Sequence, residues 1–337
     1  MKYFDRFVYF LNSVFALLLI LSYLLPYIPA DFIPLLSILN FSIPILLLIN
    51  LLFAIYWFIK LNKRMMLSII ILGIGYPHIT SLYVINEKLE RKDAKLHLLS
   101  YNVRHLNMHQ WINDEDISKK INRFLLDENP SVIALQDFKE ISEFDLSKQY
   151  PYNYIQHRGT NKNNALAIYS KFPILNQVNL NFENSLNNAI YADLLVEDDT
   201  LRVYNIHLES LKITPSMTAL SEEDQQRLIK RVSNSFALQA KQAQLISESL
   251  SKCKYSKIVM GDFNNTAFSS VYREIKSYGL KDSFKERGNG FGRTFDFDFI
   301  PIRIDFILTD EEFEVIDFSN YNNEYSDHYP ISSWVNF

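Results

Sequence analysis

The chain changes its hydrophobic rule near residue 86. Upstream, residues 7–30, 32–59 and 65–86 run through Leu, Ile, Phe and Tyr without a charged side chain. Each exceeds the ~20 residues a helix needs to cross a bilayer, and none carries the polar stripe of an amphipathic surface helix. The pattern predicts three transmembrane helices in a membrane domain over residues 1–94. Asn40, Asn50 and His78 interrupt the stretches, and Pro26, Pro29, Pro34, Pro44 and Pro77 fall within them or near their ends. A cleaved signal peptide accounts for the first stretch only, and no small-residue cleavage site stands out near Ala30. Buried core helices are the other reading. Lys2 and Arg6 precede the first stretch, and Lys60, Lys63 and Arg64 separate the second from the third. The positive-inside bias then sets the N-terminus in the cytoplasm and the rest of the chain, after three spans, on the extracytoplasmic side. Lys88, Arg91, Lys92 and Lys95 pull the other way.

From residue 95 to 337 short apolar runs alternate with polar helical segments, which delimits a second domain. Strands are predicted at 96–103, 132–135, 152–156, 165–169, 189–196, 201–206, 258–260, 303–308 and 331–335, with a hairpin turn at Asp198-Asp199. Ile117, Ile121, Phe124 and Leu125 have the spacing of an amphipathic helix over 116–128, which Pro130 stops. Phe236, Leu238, Ala243, Leu245, Ile246 and Leu250 mark a second helix over 235–250. Residues 211–233 are polar and carry Arg227, Lys230 and Arg231, the pattern of a solvated helix or of a substrate-facing insertion. Strands adjacent in sequence with few helices fit two packed sheets with helices outside rather than a doubly wound sheet.

Charge narrows the class of partner. Of the 34 Lys/Arg and 38 Asp/Glu, nine and five lie in residues 1–95, so the remainder has a net charge of −8. Tight, sequence-blind binding of nucleic acid needs many cations on phosphates, which this balance disfavours, although a small basic cleft is compatible with it. The single Cys253 excludes an intrachain disulfide.

The candidate chemistry sits where apolar strands end. Lys257-Ile258-Val259-Met260 leads into Gly261-Asp262-Phe263-Asn264, and Ser326-Asp327-His328 lies close to the C-terminus. Such ends present hard oxygen ligands for a divalent cation, together with imidazole for a phosphate or attacking water. Further strings stand in order along the chain: Leu99-Ser100-Tyr101-Asn102-Val103-Arg104, Val132-Ile133-Ala134-Leu135-Gln136-Asp137, Tyr204-Asn205-Ile206-His207-Leu208-Glu209-Ser210 and Arg303-Ile304-Asp305-Phe306-Ile307-Leu308.

In this set of six motifs, residues 96–337 resemble the endonuclease/exonuclease/phosphatase superfamily, the deoxyribonuclease I and exonuclease III-like proteins. The resemblance implies an α/β fold, a four-layered α/β-sandwich of two packed mixed sheets flanked by helices, with a magnesium-dependent site at one rim (manganese being the other candidate ion). By the same resemblance Asp137 takes the position of the principal metal carboxylate, which is usually Glu, and Asn102 and Asp327 assist at the metal. His207 contacts the scissile phosphate or protonates the leaving oxygen. Asp262 and Asn264 orient the attacking water, and Asp305 and His328 form a carboxylate–imidazole pair. The expected activity is membrane-anchored, metal-dependent hydrolysis of a phosphoester, either nucleic acid or a phospholipid headgroup, with residues 1–94 in contact with the bilayer. The rival expectation is a binding module that kept the fold and lost turnover, favoured by Asp at 137. No protein partner can be named from the sequence.

Overall fold

The computed structural model describes residues 2–87, 89–91, 94–159, 164–213, 224–298 and 300–337. Its first part is helical: α1 (Lys2–Ser22), α2 (Ile43–Ile59), α3 (Met65–Ile74) and α4 (Tyr76–Leu82). Two continuous apolar helical stretches, Tyr3–Tyr27 and Pro34–Ile59, have 25 and 26 residues and are long and apolar enough to cross a membrane. The third expected span is not one straight helix. α3 and α4 meet at a 70° bend, and Tyr83–Val84 already pairs as a strand with Gly290–Phe291. Gly75 and Pro77 stand at the bend: a Cβ on Gly75 would lie 1.9 Å from the Tyr23 hydroxyl oxygen, so Tyr23 packs there only against glycine, and Pro77 removes a helical donor just beyond. Buried polar groups tie the helices together. Asn12 donates to Ser68 Oγ at 2.7 Å and accepts from Trp57 Nε1 at 3.1 Å, and Tyr23 donates to the Ile71 carbonyl at 3.1 Å.

The remainder is built on two six-stranded sheets. Strands β1 (Leu96–Asn102), β2 (Val132–Phe138), β3 (Tyr152–Arg158), β4 (Asn164–Ser170), β5 (Ile174–Asn179), β6 (Asn188–Val196), β7 (Asp199–His207), β8 (Ser256–Asp262), β9 (Leu280–Asp282), β10 (Asp305–Asp310), β11 (Glu314–Asn320) and β12 (Ile331–Asn336) supply them. One sheet has the order β11-β12-β1-β2-β4-β3, the other β9-β10-β8-β7-β6-β5. Each contains a single parallel pair at its centre, β1 with β2 and β7 with β8. A parallel pair needs a crossover, and a helix supplies each one: α5 (Ile117–Glu128) and α6 (Gln225–Ser251). Asn129, left-handed at φ 51°, closes α5 just before Pro130.

Alternation along the strands assigns the layers. Leu96, Leu98, Val132 and Ala134 face Ile190, Ala192, Val203, Ile258 and Met260 between the sheets. On the outer faces, Ile117, Ile121 and Leu125 of α5 pack on Leu99, Tyr101, Ile133 and Leu135, and Ala243, Ile246 and Leu250 of α6 pack on Tyr204, Ile206 and Val259. This is the expected four-layered sandwich. α6 begins ten residues before the expected helix, capped by Asp224, which accepts from the Arg227 backbone N–H at 2.8 Å. Of residues 211–233, those at 214–223 lie outside the described residues. Strand β10 starts at Asp305 rather than at residue 303: the Ile304 and Asp305 backbone N–H groups both donate to Thr294 Oγ1 at 3.0 Å instead of joining the ladder.

The helical part is packed against the sandwich. His78 stacks on Phe268 with ring centroids 5.9 Å apart, Lys285 Nζ donates to the Pro77 carbonyl at 3.0 Å, and Arg303 Nη2 donates to the Ser81 carbonyl at 3.1 Å. Ala30 is buried with Val232 and Phe236 of α6.

Candidate active site

The parallel pairs decide where the chemistry gathers. In register, Asn102 lies opposite Gln136 at the end of β1 and β2, and His207 lies opposite Asp262 at the end of β7 and β8. β10 runs antiparallel to β8 and starts at that same end, with Asp305 opposite Asp262. Residues from six separate strings therefore meet at one rim. Asn102, Asp137, His207, Asp262, Asn264, Asp327 and His328 line a single cavity of about 720 Å³, and Asp305 lies behind His328.

Backbone geometry at these strand ends is special. Gly261 has φ 138°, and a Cβ there would fall 2.0 Å from the Ile206 carbonyl oxygen, so the close approach of β8 to β7 requires glycine before Asp262. Asp137 and Asn264 are left-handed at φ 45° and 47°. The register of β2 on β4 shifts between Leu135 and Phe138, an irregularity that aims Asp137 into the cavity. Arg104 to Asn107 are four consecutive residues with φ between 42° and 61°. Left-handed backbone in non-glycine residues costs about 1–2 kcal/mol each, and such strain concentrates at functional sites.

Asp262, 1 % exposed, is the hub. It accepts from Asn102 Nδ2 at 3.0 Å, from the Asn264 backbone N–H at 2.7 Å and from Asn264 Nδ2 at 3.3 Å. His207 Nε2 is 3.4 Å from its Oδ2 and His328 Nε2 3.7 Å. Burial pushes the Asp262 carboxyl up, an effect the nearby His328 partly offsets. Nδ1 of His328 donates to Asp305 Oδ2 at 2.9 Å. Burial pulls the His328 imidazole down, but the Asp305 and Asp262 carboxylates more than compensate and raise it to about 10. His207 reaches across to Asp137, Nδ1 to Oδ1 at 3.5 Å. Arg104 holds Asp327 at 3.0 Å while its guanidinium covers Trp111 at 4.2 Å.

A divalent cation fits this donor set on charge. Asp262 and Asp305 flank His328, Asp327 pairs with Arg104, and Asp137, 3.5 Å from His207, has no Lys or Arg ion pair among the described residues, so carboxylates outnumber the fixed cations at this rim. Asp262, Asp305 and His328 also present ligand-type atoms within 4.8 Å of one another. A protonated imidazole has no lone pair for a metal, however, so the carboxylates of Asp137 and Asp327 with the Asn102 amide form the better oxygen set.

Beneath the rim, Gln136 and Asn205 bridge the two sheets. Gln136 Nε2 donates to Asn205 Oδ1 at 2.7 Å, and Asn205 Nδ2 donates to the Leu135 and Ala167 carbonyls at 2.9 Å each. Nothing in the sequence marks Gln136 and Asn205 for this bridge beyond their places in the Gln-Asp and Asn-Ile-His strings. Arg104 and Trp111 likewise carry no sequence signal, except that Arg104 directly follows Asn102-Val103.

The family profile described as "Endonuclease/Exonuclease/phosphatase family" matches residues 99–328. The chain belongs to this family. A second profile, described as a domain of unknown function, matches residues 5–82. No curated protein matches the chain in sequence. Solved structures of the same fold include an endonuclease/exonuclease/phosphatase from Bacteroides vulgatus, at 20 % identity and TM-score 0.53, with 72 % of this chain and 98 % of that chain covered. A mannosyl-6-phosphatase from Bacteroides thetaiotaomicron shares 17 % identity at TM-score 0.53 over 72 % of this chain and 100 % of that one. A 3′ phosphatase from Neisseria, bound to a product DNA hairpin, shares 15 % identity at TM-score 0.51, again over 72 % and 100 %. At these identities the likeness carries the fold alone.

Proposed function

We propose that the protein is a membrane-anchored, divalent-metal-dependent phosphoester hydrolase, with residues 1–94 as the anchor and 95–337 as the catalytic domain. The observation that carries this reading is the convergence of Asp137, His207, Asp262 and the Asp305–His328 pair on one cavity. Two proteins of similar structure, a mannosyl-6-phosphatase and a 3′ phosphatase bound to a product DNA hairpin, support the class of bond and leave the substrate open. Anchoring is supported by the two long apolar helical stretches and, if α3 and α4 together form one bent span, by a third. With three spans the positive-inside bias sets the catalytic domain on the extracytoplasmic side.

A bound magnesium or manganese ion supplies charge neutralisation at the phosphate oxygens, and Asn102, Asp137 and Asp327 are the residues that would hold it. Asp262, steadied by Asn102 and Asn264, orients the attacking water and takes its proton as the new P–O bond forms. Protonated His328, held by Asp305, balances negative charge on the phosphate. His207 gives a proton to the departing oxygen as the old P–O bond breaks. The test is hydrolysis of bis(p-nitrophenyl) phosphate and p-nitrophenyl phosphate by the detergent-solubilised full chain, with magnesium, manganese or chelator. Metal-dependent release of p-nitrophenol from either supports the reading. Absence of turnover on both, and on oligonucleotide and phospholipid, leaves the binding-module alternative.

A further inference from the structure

The cavity over Asp262 is not a polar trough. Its far walls come from three separated pieces of chain: Ile38, Phe41 and Ile45 from the turn before α2 and the start of that helix, Ile229 and Val232 from α6, and Ile302 from the short hairpin of Phe295–Phe297 with Ile300–Ile302. Asn102, Asp137, His207 and Asp262 line the opposite end. One continuous space therefore runs from an ionic floor to aliphatic walls, and its ~720 Å³ lies within the ~300–1,000 Å³ that encloses a small organic ligand.

On the strength of the proposed hydrolase activity, on which this step rests, we infer that the substrate is an amphiphilic phosphoester, its phosphate on the Asp262 cluster and an aliphatic chain along Phe41, Ile45, Ile229 and Ile302. Three observations select this occupant. The aliphatic wall is continuous with the reacting groups, so whatever is attached to the phosphate must lie against it. The wall belongs in part to Pro34–Ile59, one of the two stretches apolar enough to cross a membrane, so the cavity shares its lining with the proposed anchor. Phe32, Leu35 and Leu39 beside it are exposed. Finally, the Lys and Arg side chains in the walls are already engaged: Arg104 with Asp327, Lys212 with Glu209 at 3.2 Å and Arg303 with Asp282 at 2.8 Å. A polynucleotide backbone needs such cations for its successive phosphates. A hydrocarbon chain needs apolar area removed from water, which this wall supplies.

The measurement is kcat/KM of the full chain, in one detergent, on p-nitrophenyl n-alkyl phosphates with methyl, butyl and octyl groups. The value is expected to rise at least about 10-fold from methyl to octyl, since each buried methylene contributes about fourfold and burial of two already exceeds that. In Phe41→Asp and Ile302→Asp proteins the dependence on chain length is expected to flatten. Equal rates on methyl and octyl esters, a slope untouched by both substitutions, or faster cleavage of an oligonucleotide than of the octyl ester would overturn the inference and leave the hydrolase reading intact. Failure to turn over any ester would defeat both. A measurement free of turnover uses an octylphosphonate carrying a terminal diazirine. Photolabelling is expected within residues 34–45, 225–232 or 295–302 and displaced by unlabelled octylphosphonate. Labelling confined to the outward side chains of α1, such as Phe10 and Leu17, would count against the cavity.

Discussion

His328 stands between two carboxylates, its Nδ1 2.9 Å from Asp305 and its Nε2 3.7 Å from Asp262. In the proposed mechanism Asp305 is a positioning residue, acting on the cavity through the ring it holds. Asp305→Asn keeps the shape and removes the charge that keeps the imidazole protonated. Its kcat is expected to fall about 10²–10⁴-fold, the range for a misdirected acid–base group, and the alkaline limb of the pH–rate profile to move to lower pH. Wild-type rates with an unmoved profile would remove Asp305 from the mechanism.

Asp137 carries a shorter arm than the Glu usual at its position, in a strained left-handed conformation that aims it at the cavity. Asp137→Ala is expected to raise the magnesium concentration needed for half-maximal activity at least ~10-fold, through loss of one hard oxygen ligand. A metal titration of initial rates checks this. An unchanged midpoint would mean that the ion is held elsewhere.

The Gln136–Asn205 bridge is a packing device under the site. Asn205→Leu removes the side-chain donor to the buried Leu135 and Ala167 carbonyls and the nearest acceptor of the Gln136 amide, which keeps only its longer bonds to Ser100 and the Ala134 carbonyl. The expected cost is about 2–3 kcal/mol, lowering the thermal midpoint by roughly 5–10 °C. Thermal unfolding of the detergent-solubilised protein is the measurement, and a midpoint within 1 °C of wild type would contradict the bridge's structural role.

His97 on β1 stacks on Trp334 at 4.0 Å, and burial, with Arg91 and Lys171 nearby, lowers its imidazole to about 3. The unfolded chain binds a proton near pH 6.5 that the folded chain refuses. The stabilisation is complete above pH 6.5 and is lost progressively as pH falls toward 3. His97→Phe keeps the stacking and removes the proton, so its drop in thermal midpoint from pH 7 to pH 4.5 is expected to be smaller than that of wild type. An equal drop in both proteins would contradict this.

Most central strands were legible because both faces of β1, β2, β7 and β8 are buried and read as apolar runs with a polar residue at the end. The strands missed entirely in the sheets, β5, β9 and β11, stand at sheet edges, where Ile174–Asn179 and Glu314–Asn320 mix polar with apolar positions and β9 spans only Leu280–Asp282. The third span misread its own punctuation: Gly75 and Pro77 were visible, but not that Tyr23 occupies the space a side chain at 75 would fill.

What the sequence determined alone is the set of chemical groups and their place at strand ends, because alternation and termination are local properties of ten or fewer residues. What only the tertiary structure decided is which groups share a space. The parallel registers of Asn102 with Gln136 and of His207 with Asp262 bring four strings to one rim, and the packing of the N-terminal helices on α6 gives that rim an aliphatic wall. Both are contacts between residues far apart in the chain, set by the burial of entire faces rather than by any short pattern of residues.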